Sequence, residues 1–185
     1  MKKEIRFTGF GGQGIITAGF FLGQAAAVYE GYHSTMVQSY GPEARGSACA
    51  SQVVISDEPI LNPYLEQQDI LVAMSQEGFD QYIGKTRKNG LVFVDEDLVQ
   101  PPDKKLAVKL HTIPATRLAE QNLKRRIMAN VIMLSFFITV SKLVKPESIQ
   151  SSILSWAPEG TQMINEFALK LGSHPQEQVE KLLAP

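Results

Sequence analysis

Cysteine is almost missing from this chain of 185 residues, Cys49 being the only one. One cysteine excludes an internal disulfide, and it excludes a cysteine-held iron–sulfur cluster or zinc site built from this chain alone. The three histidines, His33, His111 and His174, stand too far apart to suggest a ligand set. Neither sign of charge is in excess, and a formal net charge of -1 gives no electrostatic reason to expect nucleic acid. Long hydrophobic runs are missing too. The richest, Val131 to Val140, falls well short of the roughly 20 residues that span a bilayer. At the start, Lys2 and Lys3 precede an apolar run that Arg6 and glycines interrupt, unlike a secretory signal, so a cytoplasmic protein without membrane contact is expected. No repeat, low-complexity tract or linker divides the sequence. With 44% apolar residues, one domain over residues 1–185 with a sizeable core is the expectation.

What is present is glycine in one telling place. Gly9-Phe10-Gly11-Gly12-Gln13-Gly14 lies between a short apolar-alternating run, Ile5 to Thr8, and a long apolar segment, Ile15 to Tyr29. A strand passing through a glycine-rich turn into a helix leaves the first helical N–H groups without partners and points the positive end of the helix dipole outward. Gly9, Gly11, Gly12, Gln13 and Gly14 are therefore candidate anion contacts. The glycines fit G-x-G-x-x-G, but the second strand ends Val37-Gln38-Ser39 where a dinucleotide site needs an acidic residue. The phosphate-loop pattern fails as well, since Ile15-Ile16 follows Gly14 where Lys-Ser/Thr is required. Close strand–helix packing or docking of another subunit explains the same glycines.

Along the chain, strands are expected at Glu4–Thr8, His33–Val37, Ala48–Ser56, Ile70–Met74, Leu91–Val94 and Leu106–Ile113. The first two, joined by a helix over Gly14–Glu30 capped at Gly31, read as a βαβ unit and hence as a neighbouring parallel pair. Helices are expected at Gln76–Lys85, Ala115–Glu120, Arg126–Lys142, Pro146–Trp156 and Thr161–Leu171, with a last turn or two in Glu177–Leu183. Pro63–Gln68 reads as a short helix or turn, Lys88-Asn89-Gly90 as a turn, and Gln38–Ser47 as a polar loop. The fold class is thus α/β: a single-domain, layered, Rossmann-like sheet, mostly parallel, with helices on both faces and a helical C-terminal third.

Four separated segments, Gly9 to Gly14, Ser39-Tyr40-Gly41-Pro42-Glu43-Ala44-Arg45-Gly46, Asp69 to Glu77 and Ile113-Pro114-Ala115-Thr116, together resemble the gamma subunit of 2-oxoacid:ferredoxin oxidoreductases. The resemblance covers nearly the whole chain. Ser-Tyr-Gly-Pro-Glu and Ala-Met-x-Gln-Glu look most like the 2-oxoglutarate branch, with indolepyruvate and pyruvate enzymes as relatives. This sequence departs from the family at Ser47, often glycine there, and at Leu134-Ser135, often Leu-Gly.

The resemblance implies an accessory subunit of an enzyme that oxidatively decarboxylates a 2-oxoacid on thiamine diphosphate, forms an acyl-coenzyme A and passes electrons to ferredoxin. It implies that thiamine diphosphate, Mg²⁺ and the iron–sulfur clusters sit on partner subunits, alpha and beta for thiamine and delta for ferredoxin-like electron transfer. This chain would then be inactive and free of catalytic residues and cofactors by itself. Arg45, on a glycine-flanked loop, can hold a carboxylate or phosphate in a bidentate fork, with Glu43 and Gln13 positioning it, and coenzyme A is the candidate anion. An ion pair of Arg45 and Glu43 at a subunit interface remains the other reading. A stand-alone anion- or nucleotide-binding domain, homodimeric in isolation, is the alternative function. Cys49 reads as a small buried residue, and Asp95-Glu96-Asp97 as a strand-end turn or helix cap in preference to a Mg²⁺ site.

Overall fold

A computed structural model describes residues 1–40, 48–102 and 106–174. Six strands form one sheet: β1 (Lys2–Phe10), β2 (His33–Tyr40), β3 (Ala48–Ser56), β4 (Gln68–Ala73), β5 (Thr86–Asp95) and β6 (Lys109–Ile113), in the order β2-β3-β1-β4-β5-β6. The run β1-β4-β5-β6 is parallel throughout, and β3 runs antiparallel to both its neighbours.

This order corrects the expected pairing of the first two strands, because β3 lies between β1 and β2. The reason is burial. β3 is covered on both faces, with Val53, Val54 and Ile55 fully buried, whereas β2 is half-exposed along its length and suits a sheet edge. The short connection from Tyr40 to Ala48 also favours an antiparallel return over a crossover. Since β1 and β2 both oppose β3, they still point the same way, and Gly9 and Tyr40 flank Cys49 in one row.

One face of the sheet carries most of the helical mass. α1 (Ile15–Gln24) crosses β3 and β1, and its apolar run explains why it is packed on several sides. The expected single helix instead changes pitch, since Ala25–Tyr29 is a π-helical turn ending near Gly31, whose φ is 76°. α4 (Ala129–Ser141), buried almost all round, packs over β5 and against α6 (Gln162–Ser173). Gly172 of α6 lets that pair approach closely: a Cβ there would lie 2.2 Å from the Ile132 carbonyl oxygen. α5 (Pro146–Trp156) completes the layer, with Ser152 Oγ donating to the Phe21 carbonyl at 3.0 Å. Phe7, Phe93 and Phe137 meet edge to face in its core. α2 (Gln76–Tyr82) covers the opposite face above Leu71, Ala73, Val92 and Val94 through Phe79.

Three smaller expectations change. The segment before β4 is not helical, and Gln68 is instead the first residue of β4, its buried amide bonded to the Tyr82 carbonyl, Thr86 Oγ1 and Arg6 Nε. Lys88-Asn89-Gly90 lies within β5 as a bulge, with Asn89 at φ 63°, so the strand begins at Thr86. The last strand is shorter than expected, beginning at Lys109. Among the described residues, no helix is long and apolar enough to cross a membrane.

Candidate functional site

β1, β4, β5 and β6 all end at one edge of the sheet, and the segments leaving these strands build the site there. The turn after β1 is held by Gln13. Its Oε1 accepts from the Phe10 N–H at 2.6 Å and its Nε2 donates to the Met74 carbonyl at 2.8 Å, tying the glycine turn to the end of β4. Both ends of this amide are used within the fold. Gly14 caps α1 in the left-handed region at φ 74°, and the space its side chain would occupy is filled by Asn130, whose Nδ2 donates to the Gly14 carbonyl at 3.4 Å. A Cβ on Gly9 would lie 2.4 Å from Gln13 Oε1, so its glycine serves the packing of the turn. Gly11 and Gly12 are exposed at the tip.

Beside the tip lies a cavity of about 270 Å³ lined by Gly11, Gly12 and Gln13 together with Met74, Thr116, Arg126, Ile127 and Ala129. A groove of similar size, about 290 Å³, runs between α4, α5 and α6, away from every strand end, and holds none of the candidate anion contacts read from the sequence. The chemistry favours the first. The amino ends of α1 and α4 and the Arg126 guanidinium all bring positive potential there. Arg126 is largely exposed, with a loose ion pair to Glu120 at 3.5 Å.

Asp95 fixes the floor. Ending β5 and fully buried, it accepts at Oδ2 from the Thr116 N–H at 2.9 Å and Oγ1 at 2.6 Å, and at Oδ1 from the Asp97 N–H at 3.1 Å. Burial pushes its carboxyl above the usual range, against the pull of those hydrogen bonds. Asp97 Oδ2 in turn accepts from the Arg117 N–H at 3.0 Å, so Asp95 and Asp97 cap α3 (Ala115–Leu118), while Glu96 pairs with the Arg117 guanidinium. Cys49 is buried, which raises its thiol pKa and suits a small core residue.

The structure therefore brings Gly9, Gly11, Gly12, Gln13 and Gly14 together with the Met74 and Thr116 segments. Glu43 and Arg45 lie outside the described residues. The strand ends that bracket them, Tyr40 and Ala48, stand at this same edge, opposite Cys49 and Phe10. Arg126 was missed in the sequence. A signal existed: Lys124-Arg125-Arg126 opens a helix otherwise apolar, and bases at a helix amino end oppose the dipole unless an anion is expected there.

Comparison with known proteins bears on the family and the fold. The family model described as pyruvate ferredoxin/flavodoxin oxidoreductase matches residues 4–170. The chain is 47% identical over 174 residues to 2-oxoglutarate synthase subunit KorC of Methanocaldococcus jannaschii, covering 93% of this chain and 92% of that one. Ketoisovalerate oxidoreductase subunit VorA of Methanothermobacter marburgensis is 31% identical over 92% of this chain, which matches only 35% of that longer protein. Among solved structures, the keto/oxoacid ferredoxin oxidoreductase gamma subunit of Geobacter sulfurreducens superposes with a TM-score of 0.84 at 34% identity, covering 94% of this chain and 95% of that one.

Proposed function

Because this chain belongs to the pyruvate ferredoxin/flavodoxin oxidoreductase family, we propose that the glycine-lined edge of its sheet is what it contributes to the shared active centre of a multi-subunit enzyme. The chain is the gamma-type subunit of a 2-oxoacid:ferredoxin oxidoreductase, of the 2-oxoglutarate branch. Its likeness to a 2-oxoglutarate synthase subunit over almost the full length of both chains is the observation that carries this. A stand-alone binding domain is not favoured.

In the proposed division of labour, alpha, beta and delta partners hold thiamine diphosphate, Mg²⁺ and the iron–sulfur clusters. Those groups supply the decarboxylation and the path for electrons to ferredoxin. One cysteine gives this chain no thiolate set for a cluster. Among its described residues, no group of three His, Cys, Asp or Glu could hold a metal ion.

This chain's own part is to receive an anion. The N–H groups of Gly11 and Gly12 and the amino end of α1 supply donors that need no reorganisation, and Arg126 supplies positive charge beside them, to which the sequence reading adds Arg45. The phosphates of coenzyme A have the matching chemistry. Held there, the thiol arm can reach toward a partner's centre while the charged end stays fixed. A cytoplasmic site of action belongs to the same proposal.

The test is reconstitution. With companion subunits from the same organism, 2-oxoglutarate- and coenzyme A-dependent reduction of ferredoxin is expected only when this chain is included. The chain alone is expected to be colourless and silent. Turnover by the lone chain, or full activity of the partners without it, would overturn the reading.

A further inference from the structure

One surface of the molecule is left unexplained by the pocket. Between Arg6 and Glu43 the sequence contains a single charged residue, Glu30, although 20% of the chain is charged. The fold collects this stretch on one side. α1 lies against β2 as well as β3, and β2 is the outermost strand. Where they touch, the two are close enough that a Cβ on Gly23 would lie 3.3 Å from Ser34 Oγ.

The outward residues are apolar or neutral. Thr17 of α1 and Val28 of the π-helical turn that follows it are exposed, Val28 by 68%. Trp156, at the end of α5, is 62% exposed and stands edge-on to Phe20 with ring centroids 4.7 Å apart. Tyr40 is 63% exposed at the end of β2. From His33 to Tyr40 the outer strand has no Lys, Arg, Asp, Glu or Pro, so it lacks the features by which free edges avoid pairing. The other edge strand, β6, is short and begins with Lys109. Loss of charge together with exposed aromatics is the composition of an interface core.

We propose that the outer faces of α1 and β2 form the docking surface for a companion chain, one equivalent to the part of VorA that has no counterpart in this protein. In VorA the segment like this chain is joined covalently to the remainder. Where the two are separate chains, the contact must last without that link, which calls for a broad apolar, uncharged face. The occupant presents an equally uncharged surface, with an extended segment that takes up the outer N–H and C=O groups of β2, which pair with no strand among the described residues. The place fits the pocket, because α1 is capped at Gly14 and β2 ends at Tyr40, both at the edge that carries the site. The proposal rests on the subunit reading above.

Its test uses this chain and its companion from the same organism, with affinity measured by biolayer interferometry. Thr17→Glu and Val28→Lys change exposed positions, so the thermal midpoint should hold while binding weakens by about 30-fold or more, since each buries an unpaired charge. Met163→Lys on α6, at a position 83% exposed, should change binding by less than about threefold. Amide exchange over residues 33–40 should slow on complex formation. Unchanged affinity in both variants, with the wild-type pair binding, would overturn the docking face and leave the subunit assignment standing. Failure of the wild-type pair to bind would reject both. A lone chain that dimerises, and that these variants turn monomeric, would show a second copy as the occupant and reject the companion.

Discussion

Asp95 and Thr116 meet twice, the carboxylate of one taking both the backbone N–H and the hydroxyl of the other inside a fully buried corner. The pair joins the end of β5 to the start of α3 and so sets the height of the pocket floor. Thr116→Val keeps the shape and removes the hydroxyl donor, leaving a buried oxygen one hydrogen bond short. A loss of about 1–2 kcal/mol is expected. That corresponds to a thermal midpoint lower by roughly 2–8 °C for a domain of this size, with Thr116→Ser near wild type. Because burial raises the Asp95 pKa, its contribution is full below the ordinary Asp value and is lost as pH rises through the folded-state value. Without the hydroxyl that loss should be larger, so the deficit of Thr116→Val should widen from pH 4 toward pH 7 in urea titrations.

Glu4 behaves in the opposite sense. Burial pushes its pKa up, but hydrogen bonds from Arg87 and Lys2 and the charges they carry outweigh this and hold it below its ordinary value. Its contribution is therefore present above the ordinary value and is lost as pH falls through the folded-state value. Glu4→Gln should cost about 1–2 kcal/mol at pH 7, and the difference from wild type should close by about pH 3. A difference that stays constant with pH would mean that the ion pairs with Arg87 and Lys2 are not its source.

Two glycines of the turn should respond differently to alanine. At Gly14 the backbone is left-handed and a Cβ would fall 2.1 Å from Asn130 Nδ2, so strain and displacement of a buried side chain add, for about 2–4 kcal/mol. At Gly12, with φ 96°, nothing lies within 4 Å, and only the conformational cost of about 1–2 kcal/mol applies. Equal losses in chemical denaturation would remove Asn130 from the explanation.

In the reconstituted enzyme, Arg126→Ala and Arg45→Ala should each raise the Michaelis constant for coenzyme A. The expected loss is about 1.5–3 kcal/mol, roughly 10- to 150-fold, for an arginine in a direct charge-assisted contact. Lys at either position should restore only part, since it lacks the planar fork. An unchanged constant with normal assembly would reject the ligand role, and loss of assembly would favour an interface ion pair.

Much of this molecule could be read in advance because its signals are local. Ile70–Met74 and Leu91–Val94 are uninterrupted apolar runs that suit central strands, and the passage from β1 through glycines into an apolar helix needs only neighbouring residues. What could not be read depends on distant partners. The place of β3 between β1 and β2 is decided by which strand can be covered on both faces. Lys88-Asn89-Gly90 has the composition of a turn, yet pairing of Gln68 with Thr86 draws it into a strand as a bulge. Gln68 looks like a surface residue until Arg6, Tyr82 and Thr86 surround it. Arg126 comes to line the same cavity as the glycine turn only through the packing of α4 against α1.

The strand order also sets a timetable for assembly. The hairpin of β2 and β3 closes between Tyr40 and Cys49 and can form from local chain alone, whereas β1 must wait, with Lys2 opposite Ser56 and Ile5 opposite Ile70. Closing such long loops is slow, so a nascent chain would carry its first strand unpaired until all of β3 has left the ribosome, and paired on one side only until β4 follows. The residues made first would then be among the last to find their place, and the glycine turn next to them would take shape only as the central strand locks in.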